Sequence, residues 1–354
     1  MKIDSIEIKN FKSLRDIKLT FRNLTLITGV NSGGKSSLIQ ALLFLKQNEN
    51  IQSIEKLQFL ENIQNLFYQG YNESSTDIGI VLKTSEEELN LNFNKKNEYS
   101  ENYRNKNKIN LFSNTFQYLE TNRIPPQKEY TISQEHLANN SLGNKGEYTA
   151  HYLNENKFNK INIDNLKHPD AMTSRFIENV SLWLSEISVG IEITTNIYPE
   201  LGKVSLLYSY NNEKKRTINY NPLSVGFGIT FVLPLIVAIL KAKPDDLLII
   251  ENPESHLHPA AQSKIAELCA IASANGVQII VETHSDHFLN GIRIATKKGI
   301  LASEESTIYY FRKDKDEWET KIDKIDIDKD GGIDDYPKGF FDQFDNDLDE
   351  LIQW

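Results

Sequence analysis

Short alternating stretches open the chain. Residues 2–8 and 15–21 alternate apolar and polar side chains, most regularly at Ile6 and Ile8 and at Ile17, Leu19 and Phe21, and 24–28 carries Leu24, Leu26 and Ile27, so three strands are expected before residue 29. Over 36–47 the apolar positions Leu38, Ile39, Leu42, Leu43 and Leu45 fall at helical spacing. A long middle rich in Asn, Lys and Glu follows, with strand-like runs at 77–83, 88–94, 190–198 and 203–210 and a helix-like run at 173–187. Exposed loops are expected at 95–110 and 139–146. After Asn221 the pattern turns regular: helix 229–241, strand 246–250, helix 259–274, strand 277–283, helix 285–297, then strands near 307–312 and 320–327. Such alternation predicts an α/β fold, a mixed or mainly parallel sheet flanked by helices, with an N-terminal antiparallel β subdomain. One domain over 1–354 is expected, formed by 1–50 and 220–354, with 51–219 as an inserted segment of mixed β structure and helices.

Composition narrows the setting. A 39% hydrophobic and 25% charged chain is that of an ordinary globular protein, and a length of 354 residues suffices to bury a real core. The longest apolar run, Phe231 to Leu240, is too short to span a bilayer and is followed by Lys241 and Lys243, so it reads as a core helix. The opening residues lack the apolar block of a signal peptide, and a cytoplasmic location without membrane attachment is expected. The single cysteine, Cys269, lies in an apolar helical stretch and reads as a buried thiol. Of the net charge of −10, residues 313–354 contribute −9 through fifteen acids and six lysines. That tail is a solvated acidic surface or a docking face for a basic partner, and constant tight DNA binding is not suggested.

Three motifs carry chemistry. Gly29-Val30-Asn31-Ser32-Gly33-Gly34-Lys35-Ser36 matches the phosphate-loop pattern between an expected strand and an expected helix. Its glycines let successive main-chain amides turn inward around phosphates, and the helix start adds partial positive charge. Lys35 would reach the β and γ phosphates of ATP, Ser36 would place its hydroxyl on Mg²⁺, and Ser37 would bond the α phosphate. The apolar run 246–250 ends in Glu251 and Glu254, a spacing that suits an ATPase in which the first acid holds a Mg²⁺-bound water and the second polarises the attacking water. The bland alternative is a pair of solvated acids at a helix start. The run 277–283 ends in Thr283-His284-Ser285, where a histidine can hydrogen-bond a γ phosphate. Two decoys are set aside. His256 and His258 lack further ligands at zinc spacing, and the EF-hand-like Asp326-Ile327-Asp328-Lys329-Asp330-Gly331 has Pro337 where that loop needs Glu.

Together with Leu223-Ser224-Val225-Gly226-Phe227-Gly228 ahead of an apolar helix, Ser255-His256-Leu257-His258-Pro259 and an N-terminal Asn10-Phe11-Lys12-Ser13, these motifs resemble the ABC-type P-loop ATPases of the SMC and OLD-like superfamily. A closer likeness is to a bacterial AAA-family ATPase group with a C-terminal Pro-x-Gly-Phe-Phe-Asp-Gln element, here Pro337 to Gln343. The likeness is strong over 1–50 and 220–354, and patchy between, as at Tyr118 to Pro126 and Trp183 to Glu186. It implies ATP held with Mg²⁺ between two copies, phosphate loop against a signature in which Ser224, Gly226 and Gly228 act across the dimer. It also implies Glu254 as hydrolytic base, His284 as γ-phosphate switch, Glu251 on Mg²⁺ through water, and Asn31, Ser32, Gly33 and Gly34 among the nucleotide contacts. Lys12 and Ser13 would meet the base or ribose. Glu251-Asn252 replaces the usual Asp-Glu, and the Mg²⁺-sensing glutamine stays open among Gln40, Gln47, Gln58, Gln64 and Gln69. The expected role is a sensor or motor ATPase of a bacterial anti-phage defence or DNA-maintenance system, as a homodimer or higher oligomer with a separately encoded effector such as a nuclease. A repair ATPase acting directly on DNA and a nucleotide-dependent scaffold with little turnover are the competing readings.

Overall fold

The computed structural model describes residues 1–47, 63–68, 77–94, 99–102, 108–212, 215–313, 319–334 and 336–352. Gln58 and Gln69 lie outside these residues, as do the side chains of Gln47 and Gln64 and parts of the acidic tail. The chain divides into two compact units, one of Met1–Ser113, Ser306–Asp328 and Gly332–Trp354, the other of Asn114–Glu305 and Lys329–Gly331.

In the first unit, β1 (Ser5–Phe11) and β2 (Leu14–Thr20) form a hairpin. Strands β4 (Ile78–Lys83), β5 (Glu88–Phe93) and β6 (Tyr99–Asn102) extend it into a five-stranded antiparallel sheet in the order β2-β1-β4-β5-β6. Alternation sends Ile6 and Ile8 of β1, Ile78, Ile80 and Leu82 of β4, and Leu89, Leu91 and Phe93 of β5 into the core. Helix α1 (Lys35–Gln47) seals this core, with Phe44 against Phe11 and Phe93. Strand β3 (Leu24–Gly29) lies parallel to β14 (Ser306–Lys313), which pairs antiparallel with β15 (Thr320–Ile325). Helix α8 (Gln343–Ile352) follows near the C-terminus.

The second unit is built on three parallel strands, β7 (Phe116–Leu119), β12 (Leu247–Glu251) and β13 (Gln278–Glu282), with β12 in the middle. Register pairs Ile250 with Leu119 and Glu251 with Glu282, so all three strands end at one edge. Helices α5 (Phe227–Lys241), α6 (Pro259–Ala274) and α7 (Asp286–Lys297) supply the βαβ connections. A smaller antiparallel sheet of β8 (Glu129–Thr131), β9 (Ile191–Tyr198), β10 (Lys203–Asn212) and β11 (Lys215–Arg216) accompanies α2 (Gln134–Ala138), α3 (Thr149–Asn156) and α4 (Phe176–Ser185). Among the described residues no helix is long and apolar enough to cross a membrane.

Two sequence expectations need correction. The loop expected at 95–110 contains β6, paired with β5, while 95–98 and 103–107 lie outside the described residues. The loop at 139–146 is not simply exposed, because buried Gln117 clamps it: the side-chain amide donates to the Gly143 carbonyl at 2.9 Å and accepts from the Leu142 amide at 2.9 Å. That same Gln117 hid β7 by breaking an apolar run of only four residues.

Lys241, 3% exposed at the end of α5, donates to the Asn140 carbonyl at 2.7 Å. Burial pushes its ammonium down to about 8, against the attraction of Asp246. The unfolded chain then binds the extra proton between about pH 8 and 10.5, so this group raises stability as pH climbs through that window. Buried Cys269, whose thiol burial pushes up to about 12, acts in the opposite sense and must be cancelled by comparison. The unfolding free energy of the parent relative to Lys241→Met, followed by urea titration, is therefore expected to rise by on the order of 3 kcal/mol across that window. A flat difference would contradict the burial argument.

Candidate functional site

The phosphate-loop residues form a strand-turn-helix in the first unit, running from β3 into α1. The turn is left-handed at Gly29 (φ +139), Ser32 (φ +61) and Gly34 (φ +106). A Cβ on Gly29 would stand 2.0 Å from the Phe311 carbonyl oxygen, and one on Gly34 would stand 2.2 Å from Thr320 Oγ1 and 3.0 Å from Ser13 Oγ. Both glycines therefore answer to β14 and β15 pressing on the turn as well as to their φ. Gly33 is buried, Asn31, Ser32 and Ser36 are exposed, and Ser37 is half-buried. Lys35, 5% exposed, turns its ammonium inward and donates to the carbonyls of Gly29 at 3.0 Å and Val30 at 2.9 Å.

The hairpin turn between β1 and β2 closes on the same region. Ser13 Oγ shares a 2.8 Å hydrogen bond with Thr320 Oγ1, and the Thr320 amide donates to the Ser13 carbonyl at 2.9 Å. Lys12, left-handed at φ +53, donates through Nζ to Gln40 Oε1 at 2.5 Å, and burial pulls its ammonium below the ordinary lysine range. The structure thus brings Lys12 and Ser13 beside the phosphate turn and ties one of the candidate glutamines, Gln40, to Lys12.

The acidic residues sit where β12 ends in the second unit. Glu251 is held on both carboxylate oxygens: Tyr118 OH donates to Oε1 at 2.9 Å, and Thr121 Oγ1 donates to Oε2 at 2.9 Å. Burial first, then the Glu251 charge, raises the Tyr118 phenol, which keeps it a donor. The chain turns through left-handed Asn252 (φ +44) and delivers Glu254 to the end of β13. There Thr283 Oγ1 donates to Glu254 Oε2 at 2.7 Å and the His284 amide donates to Oε1 at 2.8 Å. Each oxygen of Glu254 keeps a second lone pair. Glu251, Glu254 and His284 accordingly share one strand edge, with His284 exposed.

The signature-like residues join this edge through aromatic packing. Pro222–Ser224 forms a 3₁₀ turn and Gly226 caps α5, leaving Ser224, Gly226 and Phe227 exposed. Phe227 stacks on Phe231 at 4.6 Å, and both rings meet His256 edge-on at 4.9 Å. A Cβ on Gly228 would lie 2.4 Å from the His256 carbonyl oxygen, so glycine there permits the close approach. His256 belongs to this aromatic cluster and His258 caps α6 by accepting from the Ala260 amide, which gives both histidines structural work. The turn after β15 closes on itself, with the Gly332 amide donating to Asp328 Oδ1 at 2.7 Å.

Sequence reading missed the residues that hold the acidic turn, namely Tyr118, Thr121 and Arg123. Tyr118 to Pro126 stood out only as a patch of family likeness, and the signal that goes with it, a short strand ahead of Thr-x-Arg-x-Pro-Pro, does not by itself say which turn it serves.

The family profile AAA_21, "AAA domain, putative AbiEii toxin, Type IV TA system", matches residues 24–290, and a second, DUF3696, described as a protein of unknown function, matches 301–351. The chain is 21% identical to the Old nuclease of Escherichia phage P2 over 87% of its own length and 60% of that protein. It is 25% identical to the Septu protein PtuA of Bacillus mycoides (strain KBAB4) over 88% of its own length and 42% of that protein. It therefore spans less than two thirds of either relative. The fold matches the SMC head solved with the C-winged helix domain of ScpA, with a TM-score of 0.62, 14% identity, and coverage of 92% of this chain and 98% of that one. A profile match over three quarters of the chain, together with an SMC-head fold, shows that this protein belongs to the AAA_21 family, among the ATPases of the ABC, SMC and OLD-like group.

Proposed function

We propose that this ATPase binds ATP with Mg²⁺ at the Gly29–Lys35 turn, hydrolyses it with Glu254, and closes as a head-to-tail dimer to control a separately encoded effector. The observation that carries the reading is the turn itself: a left-handed main chain after β3 with the Lys35 ammonium folded inside it. The donor set fits the nucleotide and its metal. Exposed Ser36 in the first turn of α1 offers a hydroxyl, and Glu251, oriented by Tyr118 and Thr121, suits a metal-bound water. When bound, Mg²⁺ neutralises charge on the β and γ phosphate oxygens.

The protein's own residues do the rest. Lys35 exchanges its carbonyl partners for the β and γ phosphates, while Asn31, Ser32, Gly33, Gly34 and Ser37 complete the cradle. Lys12 and Ser13 meet the base or ribose. Glu254 accepts a proton from the attacking water through a lone pair not used by Thr283 or His284. Because the His284 amide is bonded to Glu254, a contact between the His284 ring and the γ phosphate would report directly to the base. The exposed Ser224 and Gly226, with Gly228, act on the nucleotide of a second copy. The effector is a separate protein such as a nuclease, in a bacterial anti-phage defence or DNA-maintenance system. Likeness to the Old nuclease and the Septu protein supports that context.

Lys35→Ala is expected to weaken Mg·ATP binding by tenfold or more, read by calorimetry, whereas Glu254→Gln keeps the affinity and reduces turnover by roughly a hundredfold or more. Parental turnover in Glu254→Gln would remove the base assignment. Ser224→Arg should bind nucleotide as the parent does yet stay monomeric in ATP during sedimentation. An unchanged ATP-dependent profile would count against the role of Ser224 across the dimer.

A further inference from the structure

Among the described residues Arg123 is the largest side chain almost fully withdrawn from solvent, at 2% exposed, and nothing in the hydrolysis scheme above uses it. Its guanidinium donates through Nη1 to the Asn252 carbonyl at 3.2 Å and through Nη2 to the Glu251 carbonyl, while Nε meets no hydrogen-bond partner among the described residues. Burial lowers its pKa to about 10, against the opposing charges of Glu254 and Glu251, so it stays cationic at neutral pH. A buried cation with an unmet donor is costly. Helix or sheet formation does not require it, since both its bonds go to the two carbonyls at the bend between Glu251 and Glu254.

That bend runs through positive φ. Asn252 sits at φ +44, a region that L side chains seldom occupy. Four contacts keep it there: its own amide on the Glu282 carbonyl at 2.8 Å, Thr121 Oγ1 on its side-chain oxygen at 2.7 Å, and the two Arg123 bonds. The single Thr121 hydroxyl proton serves either that side-chain oxygen or Glu251 Oε2 at 2.9 Å, and the Thr121 amide donates to the same Glu251 oxygen at 3.3 Å. The cation lies close enough to feel both acids but spends its hydrogen bonds on main chain, so neither carboxylate is locked into a salt bridge.

We propose that Arg123, with Thr121, is a positioning device for hydrolysis: it fixes the Glu251–Glu254 bend in the one geometry that aims both carboxylates, without touching the nucleotide itself. This rests on the assignment of that turn to ATP turnover. Distortion of a positioned group by about 1 Å costs up to a hundredfold in rate while leaving ground-state binding intact. A merely structural arginine would instead lower stability and leave turnover per nucleotide-bound chain unchanged.

The test is Mg·ATP turnover and affinity of the full chain carrying Arg123→Lys, Arg123→Met, Thr121→Val or Glu254→Gln, measured well below each unfolding midpoint. Arg123→Met and Thr121→Val are expected to lose roughly ten- to a hundredfold in kcat with KM and nucleotide affinity within about twofold. Arg123→Lys, which keeps the charge and one donor direction, should recover part of the loss. Thr121 is exposed, so Thr121→Val carries the test if the arginine variants fail to fold. Parental kcat in Arg123→Met or Thr121→Val, with or without a lower midpoint, would overturn the proposal while a silent Glu254→Gln leaves the base assignment standing. Should Glu254→Gln turn over normally, the base assignment fails. The arginine and threonine variants then decide the proposal alone, because the same bend carries Glu251.

Discussion

Main chain forced into left-handed geometry at two turns is the constraint on which the remaining chemistry depends. At the first, Gly29, Ser32 and Gly34 bend the backbone after β3, and the carbonyl of Phe311 and the hydroxyl of Thr320 occupy the space where side chains would begin. At the second, Asn252 bends the chain after β12 and has a side chain to accommodate. At Gly29 and Gly34 glycine meets the first demand by absence of a Cβ; the second needs partners that pin an unfavourable φ. Those partners, Thr121 and Arg123, come from the segment following β7.

Charge is handled differently at the two turns. Lys35 is nearly buried but has carbonyl oxygens within 3.0 Å, neutral acceptors weaker than an anionic oxygen would be. Glu251 and Glu254 each accept two well-formed bonds from neutral donors, Tyr118, Thr121, Thr283 and the His284 amide, rather than from lysine or arginine heads. Neutral donors orient a carboxylate while leaving its charge available to a metal-bound water or a proton. The aromatic cluster of Phe227, Phe231 and His256 ties the start of α5 to the loop after Glu254.

Much of this was legible in the sequence because the decisive elements are periodic or punctuated. The alternating strands β1 and β2, the helical spacing in α1, and the βαβ run from α5 to α7 all combine clear period with turn residues. The Gly29–Lys35 turn was legible as a turn for a different reason: its residue types are dictated by backbone geometry. What stayed hidden depended on tertiary partners. Strand β7 is four residues long and carries buried Gln117, whose amide is satisfied by Leu142 and Gly143 some twenty-five positions away. Arg123 carries no local signal of the Glu251 and Asn252 carbonyls it serves, and Gly228 gives no hint of the His256 carbonyl it accommodates.

We propose that ATP is held at the Gly29–Lys35 turn and hydrolysed by Glu254. Hydrogen exchange across residues 29–37 and 251–256 of the intact chain, with and without Mg²⁺ and a non-hydrolysable ATP analogue, tests it most directly. Slowed exchange in both stretches at the same analogue concentration, lost together in Lys35→Ala, is the expected result. Protection of 29–37 with 251–256 unchanged at saturating analogue would contradict it.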